Sequence, residues 1–269
     1  MKRFKSILLT ALAVTVGVGV LVPSGFASAQ SSGSASLSIA PKKSYIIDAG
    51  KSVDDKLTIR NIDSQRPLEL NVRVIDFTFT DDGGTPKLFL DPKAPQTTWS
   101  MKDFISVPET VVVPANGSKT FDLKVSIPQK QGAGSYYSAI VYSTGAASGG
   151  NVGLSASGVT LVFADVPGQV KEDLKLEKFG AFNVEKNKYT FITGDEPQNM
   201  GYTLKNSGNV AEAPVGSIKL KDMFGREYTI SNVNPNGSLA LIGQTRTYTA
   251  CIKLADEKIE VGGQASAAK

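Results

Sequence analysis

Residues 57–79, LTIRNIDSQRPLELNVRVIDFTF, decide the fold. Apolar and polar residues alternate in 57–62, and the alternation resumes from 68 to 74 after the polar turn at Asp63. A period of two places apolar side chains on one face of a strand and polar side chains on the other. The segment therefore predicts two β-strands, each with one buried face.

The same pattern of short alternating runs, separated by Gly, Pro, Asn and Asp, extends in both directions along the chain. No run in the first half has a helical period, and residues 91–103 are irregular. The chain is therefore predicted to be all-β, with two tandem immunoglobulin-like antiparallel β-sandwich domains after a signal peptide. The predicted strands are 37–40, 44–48, 57–62, 68–79, 111–113, 121–127, 135–144, 158–166, 174–179, 188–193, 202–206, 215–221, 226–231, 246–254 and 258–261.

Pro167-Gly168 marks the predicted boundary between the two domains. Domain 1 is expected at 37–166, because about 130 residues suit one sandwich. Domain 2 is expected at 169–262, either complete or short of a strand. The small polar residues 30–36 are predicted to be a flexible leader, and 263–269 a tail.

Residues 1–29 have the pattern of a secretory signal peptide. Three basic residues precede the apolar run 7–22, and Ala27-Ser28-Ala29 provides small residues for cleavage. The alternative is an uncleaved N-terminal anchor, although sixteen residues of helix rise only about 24 Å. The pattern predicts a secreted, extracellular protein that meets the membrane only transiently.

Two short echoes suggest that the domains share a topology. Residues 57–61 (LTIRN) match 202–206 (YTLKN) at an offset of 145, and 116–118 (NGS) match 236–238 (NGS) at an offset of 120. The difference, 145 − 120 = 25 residues, predicts an insertion in domain 1, most simply within 78–103.

After the strand that follows its second echo (246–254), domain 2 offers only residues 258–261. After the corresponding strand of domain 1 (121–127), two further strands follow, 135–144 and 158–166. A sandwich short of a strand has an unpaired edge and an uncovered core groove. Either the chain is truncated, or a neighbouring chain supplies a strand by β-augmentation.

The amino-acid composition excludes several classes of catalytic site and metal site. The sequence has no histidine and a single cysteine, Cys251, so it lacks Ser-His-Asp and Cys-His catalysis, His-bearing zinc sites and an internal disulfide. Cys251 is predicted to be a small buried hydrophobe. Without the signal, 29 − 3 = 26 basic residues face 25 acidic ones, which gives no argument for nucleic acid.

Carboxylates are the remaining candidates for chemistry, and they occur as adjacent pairs that a strand directs to opposite faces. Turn chemistry explains them better than catalysis or calcium binding at Asp81 and Asp82, since no EF-hand loop is present. No cofactor, metal site or catalytic residue is therefore predicted. The pairs are Asp54-Asp55, Asp81-Asp82, Asp195-Glu196 and Asp256-Glu257.

Three aromatic residues are the candidate contacts for a ligand or partner: Trp99, Tyr136 and Tyr137. Tyr136 and Tyr137 are consecutive in a strand, so one is expected to face the core and the other to face outward. Trp99 lies in the predicted insertion, either closing the end of the core or facing a ligand. Its exposure discriminates between these interpretations.

Domain 1 resembles a known family. The opening strand with Pro41, the strand ending at Asn61, the run from Val107-Pro108 to Ile127 and the strand from Gly134 resemble the N-terminal domain of bacterial WxL-interacting surface proteins. More loosely they are similar to the pilus-chaperone-type immunoglobulin fold. The resemblance covers about 37–145. It implies a bacterial protein, associated with the cell wall or cell surface, that binds peptidoglycan or a surface-protein partner. The C-terminus departs from the family, because its residues (GGQASAAK) are not a membrane-spanning helix with a basic tail.

These observations predict an exported, non-enzymatic protein of the cell envelope, with a binding, adhesive or structural role. It is expected to recognise peptidoglycan or another cell-surface protein through its immunoglobulin-like domains. One alternative is a periplasmic or extracellular assembly chaperone that acts by β-strand complementation. A second alternative is a glycan-active enzyme that uses only carboxylates.

Overall fold

A computed structural model describes residues 37–80, 84–91, 93–144, 155–191, 199–221, 223–225, 227–255 and 258–262. The predicted signal peptide, leader and tail lie outside these residues. Residues 34–269 belong to one compact unit, so the domain limits at 166 and 169 stay a prediction.

The N-terminal sandwich has two complete sheets. One sheet has the order β1-β3-β9-β7 and the other the order β2-β11-β10-β4-β8, which is the arrangement of an immunoglobulin fold. A hairpin, β5-β6, and one 3₁₀ turn at Lys102–Phe104 lie between β4 and β7. The strands are β1 Leu37–Ser38, β2 Lys42–Ile46, β3 Ser52–Asn61, β4 Leu68–Ile75, β5 Phe77–Phe79, β6 Pro86–Leu88, β7 Ile105–Ser106, β8 Thr110–Val113, β9 Ser118–Ser126, β10 Gly134–Thr144 and β11 Ser155–Val166.

The C-terminal sandwich has one five-stranded sheet, β13-β12-β14-β17-β18, and, among the described residues, a second sheet of only two strands, β15-β16. The strands are β12 Leu174–Asn183, β13 Lys188–Tyr189, β14 Asn199–Asn206, β15 Ser217–Lys221, β16 Glu227–Ser231, β17 Thr245–Ala255 and β18 Lys258–Gly262. The all-β prediction and most predicted strands are confirmed.

Between β1 and β2 the chain passes from one sheet of the N-terminal sandwich to the other. β1 pairs antiparallel with β3, and after Pro41 the chain continues as β2, which pairs parallel with β11. The β2 side chains then contact the opposite sheet, because Asp55 on β3 accepts hydrogen bonds from Lys43 Nζ (2.8 Å) and Tyr45 OH (2.7 Å). These contacts connect the two layers at their edge.

The two sandwiches are built on equivalent strands. β3 and β9 correspond to β14 and β17, because Thr58 and Thr120 face each other with hydroxyl oxygens 2.8 Å apart, as do Thr203 and Thr247. The first echo, at an offset of 145, is therefore confirmed by the structure.

Each sandwich also has a fully buried asparagine at the end of the first of these strands. The Asn61 side-chain amide donates to the carbonyls of Arg66 and Pro114, and its oxygen accepts the Asp63 amide. The Asn206 side chain bonds to the Val210 and Ala240 carbonyls and to the Gly208 amide in the same way. In each sandwich this asparagine side chain therefore provides hydrogen-bond partners for backbone groups of two loops.

The second echo was wrong. Thr120 corresponds to Thr247, an offset of 127, so the turn at residues 116–118 is equivalent to 243–245 and not to 236–238. Between β3 and β9 the first sandwich therefore has 145 − 127 = 18 residues more than the second sandwich has between β14 and β17. The connection before β17 is longer than the one before β9, and this difference offsets part of the insertion. That insertion lies between β4 and β8, where it was predicted.

The N-terminal sandwich encloses a large apolar core between its sheets. Among the side chains that the structure describes, the corresponding cluster in the C-terminal sandwich is half as large. A third cluster covers the outer face of the β10 sheet. It combines Phe77, Tyr137 and Phe163 with Leu241 from the C-terminal half. This sheet is therefore buried on both faces.

Hydrogen bonds join the two halves near the start of β10. The Ser135 amide donates to the Asn209 carbonyl (3.0 Å), and the Asn209 side-chain amide donates to the Ala133 carbonyl (2.9 Å). Gly134 lies between them with φ +147°, and a Cβ at that position would stand 2.6 Å from the Asn209 oxygen. This close approach requires glycine.

Candidate functional site

The open side of the C-terminal sandwich is the candidate site. In the N-terminal sandwich, β4 pairs with β8 on one edge and with β10 on the other. The equivalent strand β15 pairs with β16 on one edge, and its other edge has no partner among the described residues. An unpaired edge presents backbone N–H and C=O groups that can pair with a further strand.

Beside this edge lies a groove of about 450 Å³ between the two sheets. Its floor is formed by Tyr202 and Leu204 of β14, and its walls by β12 and by the chain entering β15. The lining residues are predominantly apolar, and Lys219 is the one charged residue among them. They are Leu176, Phe179, Tyr202, Leu204, Pro214, Val215, Gly216, Ser217, Ile218, Lys219 and Val233.

The groove leaves large apolar side chains in water. Leu176 is 60%, Phe179 47% and Val215 94% exposed. In the N-terminal sandwich the residue equivalent to Leu176 is Ile39, and its side chain packs against the main core instead. A cluster of exposed apolar side chains marks an interaction surface.

A bulge in β12 explains why Leu176 and Phe179 line the same groove. Residues three apart on a regular strand face opposite sides. The register between β12 and β14 shifts between Leu176 and Lys178, and the extra residue restores both side chains to one side. Counting alternate positions in the sequence therefore could not place them together.

The aromatic floor of the groove is held in place by its cross-strand neighbour on β17. Tyr202 stacks on Tyr248 with ring centroids 5.2 Å apart and an interplanar angle of 11°, and its hydroxyl donates to the Val233 carbonyl. Burial raises the pKa of Tyr202, and burial also raises the pKa of Tyr248 to about 12. Both phenols are therefore neutral at physiological pH, and the floor provides no charge for a ligand.

A second depression, of about 490 Å³, lies beside β4 and the inserted segment. Charged side chains of both signs line it, among them Arg73, Lys102 and Asp91. Its buried carboxylate, Asp76, already accepts hydrogen bonds from the Ser138 hydroxyl and from the Thr97 amide and hydroxyl. Asp76 is thus occupied in holding the insertion against β10.

The predicted contact residues are largely internal. Tyr136 and Tyr137 do point to opposite faces, but the expectation that one of them faces outward was wrong. Tyr137 is fully buried, because the insertion and the loop around Leu241 cover that face. Tyr136 packs against the main core, and the centroid of its ring lies 6.0 Å from that of the Phe104 ring.

Trp99 is half-buried and stacks on Tyr137, with ring centroids 5.8 Å apart. A role in ligand contact stays a prediction for Trp99 and Tyr136, whereas Tyr137 is inaccessible. The predictions missed Leu176, Phe179 and Val215. The available signal was the shortage of strands in the second half, which predicted an uncovered groove without naming its lining.

Among the carboxylate pairs, the structure describes Asp54 and Asp55, which lie on opposite faces of β3. Asp54 pairs with Lys124 at 3.5 Å. Hydrogen bonds from Lys43 and Tyr45 lower the pKa of Asp55 to about 2. The other three pairs, including Asp81 and Asp82 with their possible calcium site, lie outside the described residues, as does the Cys251 side chain.

Within the described ranges, no group of three or more His, Cys, Asp or Glu side chains could hold a metal ion. In the same ranges, no helix has the length and apolar character needed to cross a membrane.

Comparison with known protein families found no match, and comparison with curated protein sequences found no relative. The resemblance to WxL-interacting proteins therefore stays a prediction. Solved structures similar to this chain include fimbrial chaperones. The class 5 fimbriae chaperone CfaA is 12% identical with a TM-score of 0.40, covering 84% of this chain and 98% of that one.

The E. coli chaperone DraB is 13% identical with a TM-score of 0.40, covering 86% of this chain and 95% of that one. The Pseudomonas aeruginosa CupB2 chaperone is 10% identical with a TM-score of 0.35, covering 81% and 95%. At these identities the likeness concerns the course of the chain alone. The class that this chain's own strand order defines is a protein of immunoglobulin-like β-sandwiches.

Proposed function

We propose that this protein is an exported, non-enzymatic binding protein that holds an extended segment of a partner protein by β-strand addition, as an assembly chaperone does. The observation that supports this proposal best is the unpaired edge of β15 beside an apolar groove. In β-strand addition, main-chain hydrogen bonds provide affinity and pockets for alternate side chains provide specificity. Both elements are present on the open side of the C-terminal sandwich.

The groove favours a protein partner over peptidoglycan. A binding site orients its ligand through placed polar groups, and a glycan offers hydroxyl and amide groups throughout. The groove presents mainly aliphatic and aromatic carbon, with Lys219 as its one charged lining residue. Peptidoglycan binding, adhesion and wall attachment rest on the sequence resemblance of the first half.

A direct comparison of ligand classes tests the proposal. The chain from residue 30 to 269 is mixed with fluorescent peptides in which apolar and polar residues alternate, and binding is followed by anisotropy. Control peptides have the same composition with their apolar residues adjacent. We expect micromolar binding of the alternating peptides and at least tenfold weaker binding of the controls.

Purified peptidoglycan sacculi provide the opposing measurement on the same protein. We expect no saturable retention. Saturable retention on sacculi, together with equal binding of alternating and control peptides, would contradict strand capture and support recognition of the cell wall.

A further inference from the structure

The N-terminal sandwich shows what would fill the open side of the C-terminal sandwich. β14 and β17 correspond to β3 and β9. The antiparallel pair β15-β16 lies between them in the chain, as the antiparallel pair β4-β8 lies between β3 and β9. In the N-terminal sandwich, β10 lies antiparallel along the edge of β4 that faces away from β8. The corresponding edge of β15 is unpaired among the described residues.

The side chains of β10 define the chemistry of that position. Tyr136, Ile140 and Tyr142 point between the sheets into the main core. Their alternates Tyr137 and Val141 point to the opposite face. The first set belongs to the same core cluster as Leu57 and Ile59 of β3. The residues equivalent to Leu57 and Ile59 at an offset of 145 are Tyr202 and Leu204, which form the floor of the groove.

We infer that the groove takes one strand of a partner protein, antiparallel to β15, with large apolar side chains at alternate positions in the pattern of Tyr136, Ile140 and Tyr142. This inference rests on the proposed function and assigns its acceptor site and the chemistry of its ligand. The apolar side chains fill the space over Tyr202 and Leu204 and cover Leu176 and Phe179. The backbone of the added strand extends the β15-β16 sheet.

Charge adds a further element of recognition. Lys219 lies on β15 at the groove and has no ion-pair partner among the described residues. The neighbouring Lys221 pairs with Glu227 at 3.5 Å. A carboxylate on the captured strand, between its apolar positions, therefore complements Lys219 without displacing an existing pair.

The test uses the β10 sequence itself as the probe. A labelled peptide with the sequence of residues 134–144, GSYYSAIVYST, is titrated with the chain from 30 to 269. Two peptide variants divide its faces. One has Ile140→Ser and Tyr142→Ser on the inward set, and the other has Tyr137→Ser and Val141→Ser on the outward set. We expect the inward variant to bind at least tenfold more weakly and the outward variant to bind within threefold of the parent peptide.

Protein variants locate the site. Phe179→Ser removes a groove side chain, and Phe191→Ser is the matched control, because Phe191 is 91% exposed and lies outside the groove lining. We expect Phe179→Ser to weaken peptide binding at least tenfold and Phe191→Ser to leave it unchanged. Amide hydrogen exchange at residues 217–219 should slow when the peptide is bound.

The outcomes separate this inference from the proposed function. Equal binding to Phe179→Ser and to the parent protein would overturn the groove as acceptor, while strand capture at another edge would stand. If other alternating peptides bind and the β10 peptide does not, only the inferred side-chain pattern would be overturned. Loss of all alternating peptides would overturn both. A different outcome is that light scattering shows the protein to be a dimer and that Phe179→Ser makes it a monomer. That result would assign the groove to a second copy of the chain and overturn the inference.

Discussion

The two sandwiches use the same four central strands and the same asparagine turn, yet one is closed and the other open. The N-terminal second sheet has five strands, and the equivalent C-terminal sheet has two among the described residues. Tyr202 and Leu204 form the floor of a groove at the positions where Leu57 and Ile59 lie in a closed core. The comparison shows that the shared strands provide half of a core, and that the covering strand decides whether this half is an interior or an open groove.

The largest expected effect separates the two cores directly. Ile59→Ala creates a cavity in a closed core and is expected to lower the free energy of unfolding by about 4 kcal/mol, whereas Leu204→Ala, beside the groove, costs about 2 kcal/mol because its surroundings can relax. Urea denaturation followed by Trp99 fluorescence and circular dichroism measures both. Equal costs would indicate that the groove is closed in solution.

The second prediction tests what the sandwiches share. Asn61→Ala and Asn206→Ala each remove a fully buried side chain and leave two backbone carbonyls and one backbone amide without their partner. We expect each substitution to cost about 2–3 kcal/mol of unfolding free energy, measured by the same denaturation. A cost for Asn206→Ala below a third of that for Asn61→Ala would break the equivalence of the two turns.

A third prediction concerns a difference on the shared β3/β14 strand, where Asp55 of the N-terminal sandwich corresponds to Met200 in the other. Since hydrogen bonds from Lys43 and Tyr45 lower the pKa of Asp55 to about 2, its contribution to stability is present above the unfolded-state pKa of about 3.9 and is lost as pH falls through 2. Asp55 is about one-third exposed, so this contribution stays below about 1 kcal/mol.

The free energy of unfolding of the wild type and of Asp55→Asn, measured from pH 6 to pH 2, checks this point. The difference between the two proteins should shrink as the pH falls towards the pKa of about 2 and be mostly lost at pH 2. Asp54→Asn, on the exposed neighbour, is the control. A wild-type advantage as large at pH 2 as at pH 6 would show that Asp55 acts through packing instead of charge.

The smallest expected effect is on the open side. Leu176→Ser replaces a side chain that is 60% exposed, so the unfolding free energy should change by less than about 0.5 kcal/mol while binding of alternating peptides falls. Thermal denaturation and anisotropy on the same sample measure both quantities. A destabilisation above about 1.5 kcal/mol would mean that Leu176 belongs to a core and not to a binding surface.

The sequence predicted the strands well, because alternation is a local signal and each strand has one buried face. It also located Asn61 and Asn206, since both follow an identical pattern of apolar, Thr, apolar and basic residues. The second echo failed because Asn-Gly turns recur wherever a hairpin is needed. Only the Thr58–Thr120 and Thr203–Thr247 pairs fix the true register, and those are contacts between distant residues.

The burial of Tyr137 could not be predicted for a related reason. Alternation assigns a residue to a face but does not say whether an insertion or another loop covers that face. Here β5, the segment around Trp99 and the loop at Leu241 cover it. The groove was beyond prediction in detail because a bulge in β12 changes the phase of Leu176 and Phe179.

The contact between Gly134 and Asn209 has a consequence for how this sequence can vary. The two positions are 209 − 134 = 75 residues apart, yet the backbone of one occupies the space that a side chain at the other would need. A lineage that replaced Gly134 would have to reshape the turn at Asn209 in the same step. In a set of homologous sequences these two positions should therefore change together, although each lies in a different half of the chain.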